Sequence, residues 1–165
     1  MDSTVSVPFV DAESWRLTVE PHFRFLDDFG FRLTDLIGDS PWEIWVQYTS
    51  TESAIQVIRS IEFDRDEVVL LRLLNGQVPP YSAGTVSGLG YRTLFDNVLE
   101  ARGQPALESG GLDPQDVDRQ LTYWAESVRQ VAPDFLAGDL LAINEAAAIV
   151  DDRMRQNPWP PPPSS

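Results

Sequence analysis

The chain has 165 residues, with 42% hydrophobic and 23% charged content, enough for one ordinary globular domain that buries about 70% of its unfolded surface. Aspartate and glutamate number 26 against 12 basic residues, all of them arginine, for a formal charge of −14. That balance works against binding nucleic-acid phosphates or an anionic membrane surface and favours a basic partner or simple solubility. With no cysteine, neither a disulfide framework nor a thiolate metal site is available.

Residues 1–13 (MDSTVSVPFVDAE) carry an early acid at Asp2, no basic run and no long apolar stretch. They predict a flexible start without a secretory leader, and hence a cytoplasmic protein. From Ser14 the pattern turns helical. Phe23, Leu26 and Phe29 recur on one side, and Gly30 follows as the expected left-handed stop. Pro21 belongs in a first turn, which puts the helix start near Thr18 or Val19.

Phe31, Leu33 and Ile37 then read as a first strand, closed by the turn Gly38-Asp39-Ser40-Pro41. Residues 42–74, WEIWVQYTSTESAIQVIRSIEFDRDEVVLLRLL, alternate apolar and polar residues in three segments, with breaks at Ser50–Ser53 and Asp64–Glu67. Ile44, Val46 and Tyr48 share a face of one segment; Ile55, Val57, Ile61 and Phe63 share a face of the next; Val69, Leu71 and Leu73 do so in the third. Loops this short allow only antiparallel return, so the four strands predict a meander.

Residues 75–91 hold two prolines and four glycines and predict a long loop. Arg92 to Ala101 has a helical apolar face in Leu94, Phe95, Val98 and Leu99. Asp113-Pro114 opens a longer helix that presents Val117, Leu121, Trp124, Val128 and Val131. Pro133 ends it. A last helix from Asp139 to Arg155 buries Leu140, Ile143, Ala147, Val150 and Met154, and Arg153 and Arg155 suit its C-terminal dipole. Residues 157–165, NPWPPPPSS, form a polyproline-like, disordered tail.

The expected architecture is α+β over residues 14–156: a four-stranded antiparallel meander with an N-terminal helix and two or three C-terminal helices.

Chemistry-bearing patterns are sparse. His22 stands alone and predicts a solvent-facing or capping role. Adjacent acids on a helix diverge by about 100°, so Asp27-Asp28 and Asp151-Asp152 do not form a shared site. Asp64, Asp66 and Glu67 fall where a hairpin turn belongs, without the glycine and ligand spacing of a calcium loop. There is no nucleophile elbow, phosphate loop or dinucleotide fingerprint; no cofactor, metal or catalytic residue is assigned.

Trp15 and Trp124 predict core. Trp45 is out of phase with Ile44, Val46 and Tyr48 and therefore faces the other side of the sheet, with Gln47, Gln56 and Ile58. Helices on one face only would leave that set exposed as an aromatic binding patch, whereas cover on both faces would make it core. Trp42, Trp45, Gln47, Gln56, Asp64, Asp66 and Glu67 are the candidate partner-binding residues.

Three stretches carry a family resemblance. Phe25-Leu26-Asp27-Asp28-Phe29-Gly30-Phe31, within a run that starts at Glu20-Pro21-His22, fits F-L-x-x-(F/Y)-G-F. Val46-Gln47-Tyr48-Thr49-Ser50 fits V-x-Y-x-S. Ala132-Pro133-Asp134-Phe135-Leu136-Ala137-Gly138-Asp139 fits A-P-D-x-L-x-G-D. Together they resemble small acidic bacterial proteins similar to the immunity proteins encoded beside polymorphic toxins. The resemblance implies a non-enzymatic protein-binding domain that neutralises a basic toxin; it transfers no catalytic residue. The alternatives are a small-ligand or enzymatic site between the sheet and residues 75–91, and, more weakly, a DNA-mimic inhibitor.

Overall fold

A computed structural model describes residues 12–37, 43–60, 65–78, 85–86, 89–105 and 116–156. Trp42, Ile61, Phe63, Asp64, Asp113, Pro114 and the proline-rich tail lie outside the described residues.

The first helix, α1, runs from Ala12 to Phe23 and buries Trp15, Val19 and Phe23, a stripe at four-residue spacing. It therefore starts before the expected Thr18, takes in Ala12 and Glu13, and places Pro21 in its last turn. Proline there has no N–H to donate to the carbonyl of Leu17, four residues back in the helix. One closing hydrogen bond is lost and the chain tightens into a 3-10 segment, Arg24–Phe29. Gly30 ends that segment with φ of 81°, the left-handed stop the sequence predicts.

The sheet has five strands rather than four, in the order β1 (Arg32–Ile37), β2 (Glu43–Thr49), β3 (Ser53–Ser60), β4 (Arg65–Arg72) and β7 (Arg92–Leu94), and every neighbouring pair is antiparallel. Thr34 sits at a register shift between β1 and β2. β5 (Thr85–Val86) and β6 (Leu89–Gly90) make a separate two-stranded hairpin inside the region expected to be loop. The fifth strand, β7, is Arg92–Leu94, which pairs with Val69–Leu71 of β4. Its three residues carry too little alternation to be told from the start of the helix that follows.

That helix, α2, is Phe95–Ala101. The next, α3, is Val117–Val131; its N-cap is Asp116, whose carboxylate accepts from the N–H of Arg119. Pro133 opens a short helix, α4, ending at Leu136. The final helix, α5, is Leu141–Gln156, with Asp139 Oδ1 accepting from the N–H of Leu141.

The helices pack on the sheet and its hairpin: α1 on β1 and β2, α2 and α3 on β4, and α5 on β4, β6 and β7. The main core fills the space between. Ile44, Val46, Tyr48, Ile55, Val57, Val68 and Leu70 meet Trp15, Phe23, Phe95, Trp124 and Phe135 there. Trp15 also donates its indole N–H to the carbonyl of Val57 at 3.0 Å. Each such large side chain contributes about 1.5–3 kcal/mol on burial.

The opposite sheet face is covered as well. Ala54, Ile58, Val69, Leu71 and Leu73 form a second, smaller cluster, with Trp45 and Val78 packed on it. Val69, Leu71 and Leu73 therefore do not join Ile44 and Val57; in β4 it is Val68 and Leu70 that face the helices. A strand buried on both sides has no polar face to reveal its phase. On α5, Ile143 and Ala147 are buried as expected, but Met154 is 56% exposed. No helix among the described residues is long and apolar enough to cross a membrane.

Candidate binding surface

The residues proposed from sequence do not assemble into one exposed patch. Gln47 and Gln56 are each 4% exposed. They lie opposite one another on β2 and β3, and the Gln56 amide donates to Gln47 Oε1 at 2.9 Å. They are buried because the second face is covered; the pair satisfies itself across the strands instead of waiting for a partner.

Asp66 is not in a turn. It is the second residue of β4, 2% exposed, on the helical side of the sheet. Arg59 Nη1 donates to its carboxylate at 2.9 Å, and its backbone N–H donates to Gln120 of α3 at 3.4 Å. Glu67, next along, points to the other face. It shares a row with Ile58 and Trp45, and Trp45 and Glu67 are both partly exposed. The indole N–H of Trp45 is buried and finds no acceptor among the described residues.

His22 has a partner from a distant element. Its Nε2 lies 2.8 Å from Asp118 Oδ1, and Thr122 Oγ1 lies 3.4 Å from its Nδ1, which ties α1 to α3. Tyr48 lies deep on the helical face with its hydroxyl buried and without a hydrogen-bond partner. Burial pushes that phenol above its ordinary range, and the carboxylates of Glu20 and Asp27 push it further. Among the described residues no three His, Asp or Glu side chains converge as a metal site.

An open cleft of about 600 Å³ lies at one end of the sheet, walled by three separate elements. Asp28, Phe29 and Gly30, at the end of the 3-10 segment, form one wall. The β2–β3 turn, Ser50, Thr51 and Glu52, forms the second. Leu136, Ala137 and Gly138, at the end of α4, form the third.

Local bonding fixes each wall. The N–H groups of Gly30 and Phe31 donate to the carbonyls of Asp27 and Leu26 at 3.2 and 3.1 Å. In the turn, the Ser50 N–H donates to the Ser53 carbonyl at 2.8 Å, and the Glu52 carbonyl accepts from Leu73 at 2.9 Å. On α4, the Gly138 N–H donates to the Phe135 carbonyl at 3.0 Å, and Gly138 has φ of 99°. Phe31 and Phe135 stack at 6.1 Å between centroids and join the first wall to the third.

Phe29 is 44% exposed here, whereas Phe23 and Leu26, its partners in the sequence pattern, are fully buried. Asp28 and Glu52 are exposed and make no ion pair or side-chain hydrogen bond among the described residues. The three stretches 25–31, 46–50 and 132–139 meet at this cleft, through Asp28 to Gly30, Ser50 and Leu136 to Gly138. Spacing along the chain does not bring these residues together; only the sheet register and the Phe31–Phe135 contact do. A comparison with protein families, curated proteins and solved structures finds no match to this chain.

Proposed function

We propose that this chain is a non-enzymatic binding protein that neutralises a basic protein, in the manner of an immunity protein acting on a toxin. One observation carries the reading: the arginines are largely engaged within the fold, while carboxylates are left outward. Arg59 is held by Asp66, Arg72 reaches Asn144, Arg102 grips Asp134 and Glu145, and Arg129 lies over Phe25. Asp27, Asp28, Glu52 and Glu126 are exposed, without an ion pair among the described residues. With a net charge of −14, that division leaves an outward negative field, which steers a basic partner and disfavours an acidic one.

The test is a pull-down of the full chain against the product of the adjacent gene. Recovery at low salt that falls steeply as salt is raised supports the reading, because exposed charge pairs are screened over about 8 Å at physiological ionic strength. Recovery of nothing at low salt overturns it. The alternative of a ligand site under residues 75–91 gains no support from the sheet face, where Ala54, Ile58, Val69, Leu71 and Leu73 are packed together.

A further inference from the structure

We infer that the cleft between Asp28, Phe29 and Glu52 is the seat for an arginine side chain of that basic partner. The inference rests on the proposed function and names its point of contact. The cleft has room for more than one side chain, about 600 Å³, and opens to solvent. It offers the two chemical features a guanidinium uses: carboxylates that accept its planar fork of N–H donors, and an aromatic face for the cation to lie on. Asp28 and Glu52 stand on different walls and are not neutralised by any arginine of the described fold. Phe29 is 44% exposed between Asp28 and Gly30, an unusual exposure for a phenylalanine with buried neighbours at Leu26 and Phe31.

The same 3-10 segment already shows the pairing once. Arg129 of α3 places its Cζ 4.4 Å from the centre of the Phe25 ring. Phe29, four residues further along the same segment, is exposed and has no cation of the described residues above it. Lysine fits the cleft less well. Its compact, strongly hydrated ammonium cannot bridge two walls while lying flat on the ring.

The test is an amide-resolved NMR titration of the full chain with the acetylated peptide Gly-Ser-Arg-Ser-Gly. The same titration is run with lysine and with uncharged citrulline in place of arginine. Expected are shifts confined to the amides of residues 28–30, 50–52 and 136–138, weaker binding of the lysine peptide, and none of the citrulline one. Asp28→Asn with Glu52→Gln should weaken the arginine peptide about tenfold, and Phe29→Leu about threefold. All three positions are exposed, so the variants keep the fold, and the amide spectrum checks this directly. Shifts scattered over the whole acidic surface overturn the assignment, as does equal binding of the lysine peptide or an unchanged affinity in the double variant. Capture of the adjacent gene's product that survives the double variant overturns the cleft assignment and leaves the proposed function standing. Failure of that capture with a cleft that still titrates overturns the proposed function instead.

Discussion

Arg102 and Asp134 meet in a two-pronged pair, Nη1 to Oδ1 and Nη2 to Oδ2, each at 2.7 Å. Arg102 stands just past α2 and Asp134 lies in α4. The same guanidinium donates to the Val131 carbonyl at the end of α3, at 2.7 Å, and reaches Glu145 of α5 at 3.4 Å. One side chain therefore ties four helices together. Replacing it with methionine should cost about 2 kcal/mol in urea unfolding; a loss under a few tenths would show that the junction holds without it.

The pair also sets an acid limit. Its hydrogen bonds and charge hold the Asp134 carboxyl below the ordinary aspartate value of 3.8, against a smaller opposing effect of burial. A depressed folded value means the contribution is complete above the unfolded pKa and is lost as pH falls through the folded one. Stability should therefore decline as pH drops below about 4, and Asp134→Asn should flatten part of that decline while lowering stability at neutral pH. A decline identical in the two proteins would remove Asp134 from the explanation.

Gln47 and Gln56 give a cycle with an unusual sign. Each single change to leucine leaves a buried amide without its partner and should cost about 1–3 kcal/mol. Changing both removes the polar pair from an apolar face and should restore most of the loss. Additive losses in the double variant would mean that the amides are not each other's main partner.

The two sheet faces explain how much was readable. β2 declares its phase because Gln47 and Trp45 alternate with Ile44, Val46 and Tyr48, and the structure keeps that phase. β4 does not, since Val68, Val69, Leu70 and Leu71 are all buried, and nothing in VVLL tells one face from the other. The same cover on the second face turned Gln47 and Gln56 from candidate contacts into a buried pair. The preference of Asp for turns assigns Asp66 to one, whereas its partner Arg59 sits seven residues away, across a register that local pattern does not reveal. The cleft was illegible for a related reason. Asp28, Glu52 and Gly138 are far apart in the chain, and only the packing of Phe31 on Phe135 closes the distance.

Gly30 offers a clean test of backbone conformation. A Cβ built there meets no atom within 4 Å, yet φ is +81°. Gly30→Ala should therefore cost about 1–2 kcal/mol from the left-handed backbone alone, with no steric term. Gly30→Asn should cost less than alanine, because asparagine tolerates that region. An alanine variant as stable as the parent would mean that the chain relaxes out of this conformation cheaply.

Arg59 and Asp66 pose the harder energetic question. The Asp66 side chain is 0% exposed and that of Arg59 11%, and they meet at 2.9 Å on the helical face beside Gln120. Removing both charges from water is expensive, and their attraction roughly offsets that cost. Breaking the pair is a different matter. Arg59→Met removes the cation that lies 2.9 Å from the buried Asp66 carboxylate and should lower stability by about 3–5 kcal/mol. Adding Asp66→Leu replaces both by apolar side chains on a face already lined by Val57, Val68 and Leu70. The double variant should then be far more stable than Arg59→Met alone, and close to the parent. Equal stabilities for the single and double variants would show that Asp66 holds β4 through other bonds, its backbone link to Gln120 first among them.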